Sequence, residues 1–140
     1  MINSITEQNK AIVIRFNKEV IEQGNIESFN SIVDKDFINH TAPMGTPNGR
    51  DSILHFFNHI LRPAFPDLTV TIYDQIAEGD KVTTRKAFHV THKGEFMGIP
   101  TSNKRVVINV IDIVTLRNGK YLEHWAINNL PSVIAELKAK

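Results

Sequence analysis

The hydrophobic pattern of this 140-residue chain changes its period near Pro66. Before that point, apolar residues recur at helical spacing, as in Ile12, Phe16 and Val20, which is typical of a helix with one buried face. From Leu68 onward, apolar and polar residues alternate, which is typical of strands with one buried side. Helices followed by a run of strands predict an α+β domain, with the helices segregated to one face of a curved antiparallel sheet.

Turn and capping signals divide the two halves into elements. Helices are predicted over residues 4–23 with a Ser4–Glu7 capping box, around Phe29, from Asp51 to Pro63, and from Ser132 onward. Strands are predicted from Leu68, over 82–90, over 104–116 and over 120–128, with a short extended segment at 37–40. Asn118-Gly119 is the strongest hairpin signal in the chain.

Composition limits the classes of protein. A hydrophobic content of 41% in 140 residues suffices for one domain, predicted to span 1–140. A net charge of +1 gives no reason to expect nucleic acid or an anionic membrane as partner. The absence of cysteine excludes disulfides, thiolate zinc sites and a cysteine nucleophile. No signal peptide or membrane-spanning run is recognisable, so we expect a soluble, cytoplasmic protein.

A single carboxylate, Asp112, lies inside the largely apolar run 104–116. A buried, ionised and unpaired carboxylate would cost several kcal/mol. One interpretation pairs Asp112 with an arginine, a histidine or a backbone N–H. The other places it in a pocket as an acid, a base or a hydrogen-bond anchor, where desolvation would raise its pKa.

Three further polar residues are candidates for the same pocket. His124 shares a strand side with Ala126, and it is either a pocket residue or a satisfied structural histidine. Asn39 and His40 precede a loop rich in proline and glycine, where one of them reaches a cavity mouth or both cap the loop. Trp125 points to the other side of its strand, which favours core or interface packing.

Nothing in the sequence predicts a metal or a cofactor. His55 and His59 have a spacing that can bind metal on a helix, but no third ligand is suggested nearby, and a solvated helix face is the simpler interpretation. No glycine-rich phosphate-binding loop is present. The phenylalanines are mainly core residues, although some can line an apolar pocket.

Several short stretches together resemble the SnoaL-like polyketide cyclase family of the nuclear transport factor 2-like (cystatin-like) superfamily. The resemblance covers nearly the whole chain. It is carried by FPDL at 65–68, IAEGD at 76–80, HKGEFMGIP at 92–100, IDI at 111–113, NGK at 118–120 and EHW at 123–125.

The resemblance implies a cone-shaped fold in which a curved antiparallel sheet wraps helices around a deep apolar cavity. Characterised cyclases of this family close a ring by aldol condensation without a cofactor, using an aspartate as acid/base. Asn39 matches a pocket asparagine of that pattern, Asp112 falls where the cyclases carry a histidine, and Ala126 aligns with their catalytic aspartate. Residues expected to line the cavity with Asn39 and Ala126 are Phe16, Phe57 and Val110.

Two classes of function therefore stay open. The first is a cofactor-free enzyme acting on a small hydrophobic carbonyl compound, with Asp112 replacing the missing carboxylate and His40 or His124 assisting. The second is a binding protein that uses the cavity without turnover. Strand 104–116 is apolar on both sides while helices can cover only one, so we also expect a homodimer through the outer sheet face.

Overall fold

The computed structural model describes residues 4–140. Its helical segments are α1 (Ile5–Arg15), continued by a π-helical segment (Phe16–Glu22), α2 (Ile26–Ile32), α3 (Arg50–His55), continued by a second π-helical segment (Phe56–Leu61), α4 (Arg62–Ala64) and α5 (Leu130–Lys138). Its strands are β1 (Val33–Asn39), β2 (Thr69–Glu78), β3 (Lys81–Thr91), β4 (Arg105–Arg117) and β5 (Lys120–Asn128). The α+β class is confirmed.

The first helix begins and ends where the sequence signals predict. The Ser4 hydroxyl accepts a hydrogen bond from the Glu7 N–H at 3.2 Å, which caps the first turn. The helix is not α-helical throughout, because its second half widens into the π-helical segment Phe16–Glu22. Gly24 then ends it with a φ of +72°, a conformation that glycine adopts without strain.

The sheet is five-stranded, curved and unclosed, in the order β1-β5-β4-β3-β2. Strands β2 to β5 form the predicted antiparallel meander. The predicted extended segment 37–40 is part of a longer strand, β1, which pairs in parallel with β5. Alternation fails to reveal this strand because it carries Asp34 and Asp36, and both carboxylates bind Arg117 at 3.1 Å.

Two prolines that were expected to mark helix boundaries lie inside helices. Pro63 lies in the short α4, and Pro131 lies in the first turn of α5, which begins at Leu130 rather than at Ser132. Pro131 loses no hydrogen bond, because the N–H groups of a first helical turn have no partner within the helix. Pro63 lies near the end of the continuous helical run 50–64, which stops at Ala64. Both helix boundaries therefore shift by one or two residues.

The helices cover one face of the sheet, which we call the inner face. Its strand residues alternate with exposed ones: Val106, Ile108, Val110, Asp112 and Val114 of β4 are buried. The loop after β3 closes one end of this core with the fully buried Phe96. Gly94 of this loop lies so close to α4 that a Cβ there would sit 2.4 Å from the Pro63 carbonyl oxygen.

The opposite face of the sheet, which we call the outer face, is uncovered. Large apolar side chains remain exposed along it: Tyr73, Ile76, Val107, Ile111, Ile113 and Ile127. The strand register places Ile111 beside Ile127 and Ile113 beside Trp125. In residues 4–140, no helix has the length and apolar character required to cross a membrane.

Candidate active site

Strand register brings the predicted polar residues to one region of the inner face. Asp112, at the centre of β4, has Ala126 of β5 as its cross-strand neighbour. His124 lies two residues before Ala126 on the same side, and its partner in β1 is Asn39. Three strands therefore place Asp112, His124 and Asn39 side by side.

A buried lysine completes this group. Lys86 Nζ of β3 lies 3.0 Å from Asp112 Oδ2, and the side chains of Lys86 and Asp112 are only 4% and 5% exposed. The same ammonium donates to Asn17 Oδ1 at 2.7 Å. The Asn17 amide donates in turn to the Val13 carbonyl at 2.9 Å, within the first helix. We call Asn17, Asn39, Lys86, Asp112 and His124 the Asp112 cluster.

His124 joins the carboxylate to β1. Its Nε2 lies 3.3 Å from Asp112 Oδ2, and its Nδ1 lies 3.0 Å from Asn39 Oδ1. The backbone N–H of Thr41 donates to Asn39 Oδ1, which assigns that atom as the amide oxygen. Both ring nitrogens therefore face acceptors: a neutral imidazole donates to one of them, and a protonated one donates to both.

Two opposing effects set the charge of Asp112. Burial raises the pKa of the Asp112 carboxyl, as expected for a dry site, but Lys86 and His124 lower it by more, and the resulting pKa is about 2. The prediction of a raised pKa for Asp112 is therefore wrong, because it did not take into account the buried lysine, Lys86, beside the carboxylate. The carboxylate is ionised, and its second oxygen, Oδ1, is buried without a hydrogen-bond partner in residues 4–140.

The residues predicted to line a cavity lie around this cluster on the inner face. Phe16 packs edge-on against Phe57 at 6.0 Å and stacks on Tyr121 at 4.3 Å between ring centroids. Burial, followed by the charge of Asp112, raises the pKa of Tyr121 well above its usual value. Phe16, Phe57 and Val110 belong to the hydrophobic core, and Ala126 packs against it. Their role in substrate binding stays a prediction.

His40 lies apart from the cluster. It stacks on Trp125 at 4.7 Å, and its Nε2 lies 3.0 Å from Glu123 Oε2. Glu123 and Trp125 alternate with His124 along β5, so His40 lies on the outer side of the sheet. Of the two adjacent residues, it is Asn39 whose side chain contacts the His124 ring, whereas His40 donates to the His124 carbonyl through its backbone N–H at 2.8 Å.

Sequence reasoning missed two members of the cluster, Lys86 and Asn17. Lys86 alternates with Val82, Thr84, Phe88 and Val90 on the buried side of β3. A lysine in such a pattern is a signal for a buried cation that needs a counter-ion. Asn17 carries a similar signal, because it lies four residues after Val13 and three before Val20, on the buried stripe of the first helix.

His55 is the last residue of α3, and His59 lies in the π-helical segment that follows it. The rings of His55 and His59 stack at 4.9 Å. Across residues 4–140, no group of three or more histidine, aspartate or glutamate side chains is arranged to hold a metal ion.

Solved structures share this fold over nearly the whole chain. The candidate SnoaL-like polyketide cyclase from Jannaschia sp. CCS1 is 23% identical, with a TM-score of 0.84 and coverage of 100% of this chain and 98% of that chain. IdmH, a candidate polyketide cyclase from Streptomyces antibioticus, is 27% identical, with a TM-score of 0.82 and coverage of 94% and 99%. An LEH-like epoxide hydrolase of M. tuberculosis is 12% identical, with a TM-score of 0.72 and coverage of 96% and 92%.

The helices on one face of an unclosed curved sheet define a protein of the nuclear transport factor 2-like fold. The sequence model of the SnoaL-like polyketide cyclases matches residues 11–137. The chain belongs to this family, as the short stretches predicted. A comparison with curated proteins gives no match.

Removal of the lysine tests the electrostatics of the cluster. Lys86→Met should lower the free energy of unfolding at pH 7 by about 3–5 kcal/mol, because it leaves a buried carboxylate without its principal cation. Adding Asp112→Asn to Lys86→Met should recover part of this loss. Urea unfolding measures both. The exposed Lys120→Met is the control, with an expected change within about 0.5 kcal/mol. A loss for Lys86→Met no larger than that of the control would contradict the ion pair.

The pH dependence of stability tests the protonation state of Asp112. The pKa of this carboxyl is about 2 in the folded protein, against an ordinary value of 3.8. Its contribution to stability is therefore complete above about pH 4 and is lost as the pH falls towards 2. Urea unfolding between pH 5 and pH 2 should show a shallower decline for Asp112→Asn than for the wild type. Asp80→Asn, at an exposed turn, should keep the wild-type slope.

Proposed function

We propose that this protein is a cofactor-free enzyme of the SnoaL-like polyketide cyclase type. It performs acid/base chemistry, such as aldol cyclisation, isomerisation or a related reaction, on a small hydrophobic carbonyl compound in an apolar cavity at the inner face. One observation carries the proposal. Asp112 is a buried, ionised carboxylate with one oxygen held by Lys86 and His124 and the other unpaired.

The position of Asp112 suits it to replace the carboxylate that family cyclases carry at Ala126. The two residues are directly opposite each other on β4 and β5, so their Cβ atoms are about 5 Å apart on the same face. In this mechanism Asp112 Oδ1 takes a proton from the substrate carbon. His124 and Lys86 stay in contact with Asp112 Oδ2 and offset the change of charge that this proton transfer causes.

The low pKa of Asp112 limits the reaction. A carboxylate with a pKa of about 2 is a weak base. It can remove a proton at a useful rate only from an acidified C–H bond, such as one between two carbonyl groups. The proposal therefore favours 1,3-dicarbonyl compounds and their esters over simple ketones.

The second candidate function is a small-molecule-binding protein without turnover. Two observations favour it. Ala126 has no titratable group, and both ring nitrogens of His124 are already engaged with Asp112 and Asn39. A histidine so engaged has no free N–H with which to protonate a substrate.

A turnover assay decides between the two candidates. On a panel of 1,3-dicarbonyl esters, Asp112→Asn should lower the rate by about 10²–10⁴-fold, the usual contribution of a general base. Asp80→Asn should stay within about threefold of the wild type. Ala126→Asp should add cyclase activity on a polyketide ester if the pocket is competent. An Asp112→Asn rate within about threefold would remove the catalytic assignment, and no turnover by any variant would favour the binding protein.

We also propose that the protein is a homodimer through its outer face. The support is the row of exposed apolar side chains, in which Ile111, Ile113 and Ile127 are 42%, 37% and 71% exposed. The occupant proposed is a second copy of the chain, whose identical apolar face would cover the first. We place this dimer in the cytoplasm, without a metal or nucleic acid partner.

One substitution tests the dimer. Light scattering at micromolar concentration should give twice the chain mass of 15.9 kDa for the wild type, and 15.9 kDa for Ile111→Glu. A charge at this position would be buried without a partner in the dimer. Ile14→Glu is the matched control, because Ile14 is similarly exposed, at 49%, but lies on α1. A wild type that runs only at 15.9 kDa would disprove the dimer.

A further inference from the structure

We propose that the Asp112 cluster recognises a neutral hydroxyl group of its ligand, such as a phenol, an enol or an alcohol, which donates its proton to Asp112 Oδ1. The inference rests on the proposed position of the ligand at the inner face. It deepens the proposed function by naming a group that the ligand carries in addition to any carbonyl; Oδ1 has two lone pairs, so a hydroxyl on one leaves the other for a proton from carbon.

The hydrogen bonds within the cluster leave one acceptor for the ligand. Asp112 Oδ2 accepts from Lys86 and contacts His124. Asn39 Oδ1 accepts from the Thr41 N–H and contacts His124, and Asn17 Oδ1 accepts from Lys86. Asp112 Oδ1 is buried and accepts from no group in residues 4–140. A buried carboxylate oxygen without a donor is costly, so a donor from outside the protein stabilises it.

The negative charge of Asp112 Oδ1 determines which kind of ligand group can bind to it. A ligand carbonyl or carboxylate is an acceptor, and it would be repelled by an ionised carboxylate oxygen. A ligand ammonium is a donor, but it would add a second full positive charge beside Lys86 at a single buried carboxylate. A neutral O–H provides the donor without adding charge.

The neighbours of Asp112 suit a ring that carries this hydroxyl. The side chain opposite Asp112 on β5 is only the methyl group of Ala126. His124, beside it, is 17% exposed, against 5% for Asp112, so solvent reaches the cluster from the β5 side. Phe16 and Phe57 lie in the same apolar core, which favours an aromatic ligand over a polar one.

The experiment compares 2-naphthol with 2-methoxynaphthalene, which has the same rings and an ether in place of the hydroxyl. Binding is measured by calorimetry and by shifts of backbone NMR signals. We expect 2-naphthol to bind at least about tenfold more tightly, as for a hydrogen bond to a charged group. Asp112→Asn should reduce the preference to less than about threefold, and Asp80→Asn should retain it.

A variant that fills the space beside Asp112 gives a second test and leaves the carboxylate unchanged. Ala126→Leu should weaken the binding of both naphthalenes, because the larger side chain occupies the space beside the carboxylate. The wild-type comparison of the two ligands needs no variant, so a misfolded Asp112→Asn protein would not remove the test.

Three results would overturn the inference. They are equal affinity for the two naphthalenes, binding of neither up to their solubility limits, and a hydroxyl preference that survives in folded Asp112→Asn. Turnover of dicarbonyl esters together with equal affinity would reject the hydroxyl site and keep the proposed enzyme. A hydroxyl preference without turnover would support the site in a binding protein.

Discussion

The ion pair between Lys86 and Asp112 connects the parts of this fold. It joins β3 to β4 inside the core, where both side chains are almost completely buried. Through Asn17 the pair reaches the π-helical segment of the first helix, and through His124 and Asn39 it reaches β5 and β1. A buried ion pair seldom adds much net stability compared with an apolar pair, but loss of one partner is strongly destabilising. The pair therefore constrains which arrangements of helix and sheet are compatible with a satisfied core.

The same pair sets the chemistry available at the inner face. Lys86 and His124 hold one carboxylate oxygen and keep the group ionised, which lowers its basicity, while the other oxygen has no hydrogen-bond partner in residues 4–140. The resemblance aligns the catalytic carboxylate of the family cyclases with Ala126. In this chain, the cross-strand neighbour of Ala126 is Asp112, a carboxylate that is paired with a lysine. The reaction or ligand can therefore differ from that of the cyclases on an otherwise shared fold.

Much of the architecture could be predicted from the sequence, because local pattern determines it. The change of period near Pro66, the Asn118-Gly119 turn and the alternation along β4 predicted the meander and its buried side. The length of β1 was underestimated because the charged residues of this strand hide its alternation. The ion pairs of β1 with Arg117 join residues about 80 positions apart along the chain. The start of α5 moved to Leu130 because a first helical turn tolerates proline at Pro131.

For the site, sequence alone determined that Asp112 is an ionisable group in an apolar strand, that His124 and Ala126 share a side, and that Asn39 or His40 ends a neighbouring element. Tertiary structure decided the rest. It chose Asn39 over His40, because parallel pairing of β1 with β5 turns one towards His124 and the other towards Trp125. It also reversed the expected shift of the Asp112 pKa. The cause is Lys86, 26 residues away along the chain. Electrostatic interaction depends on distance in space and on burial, and neither can be read from spacing along the sequence.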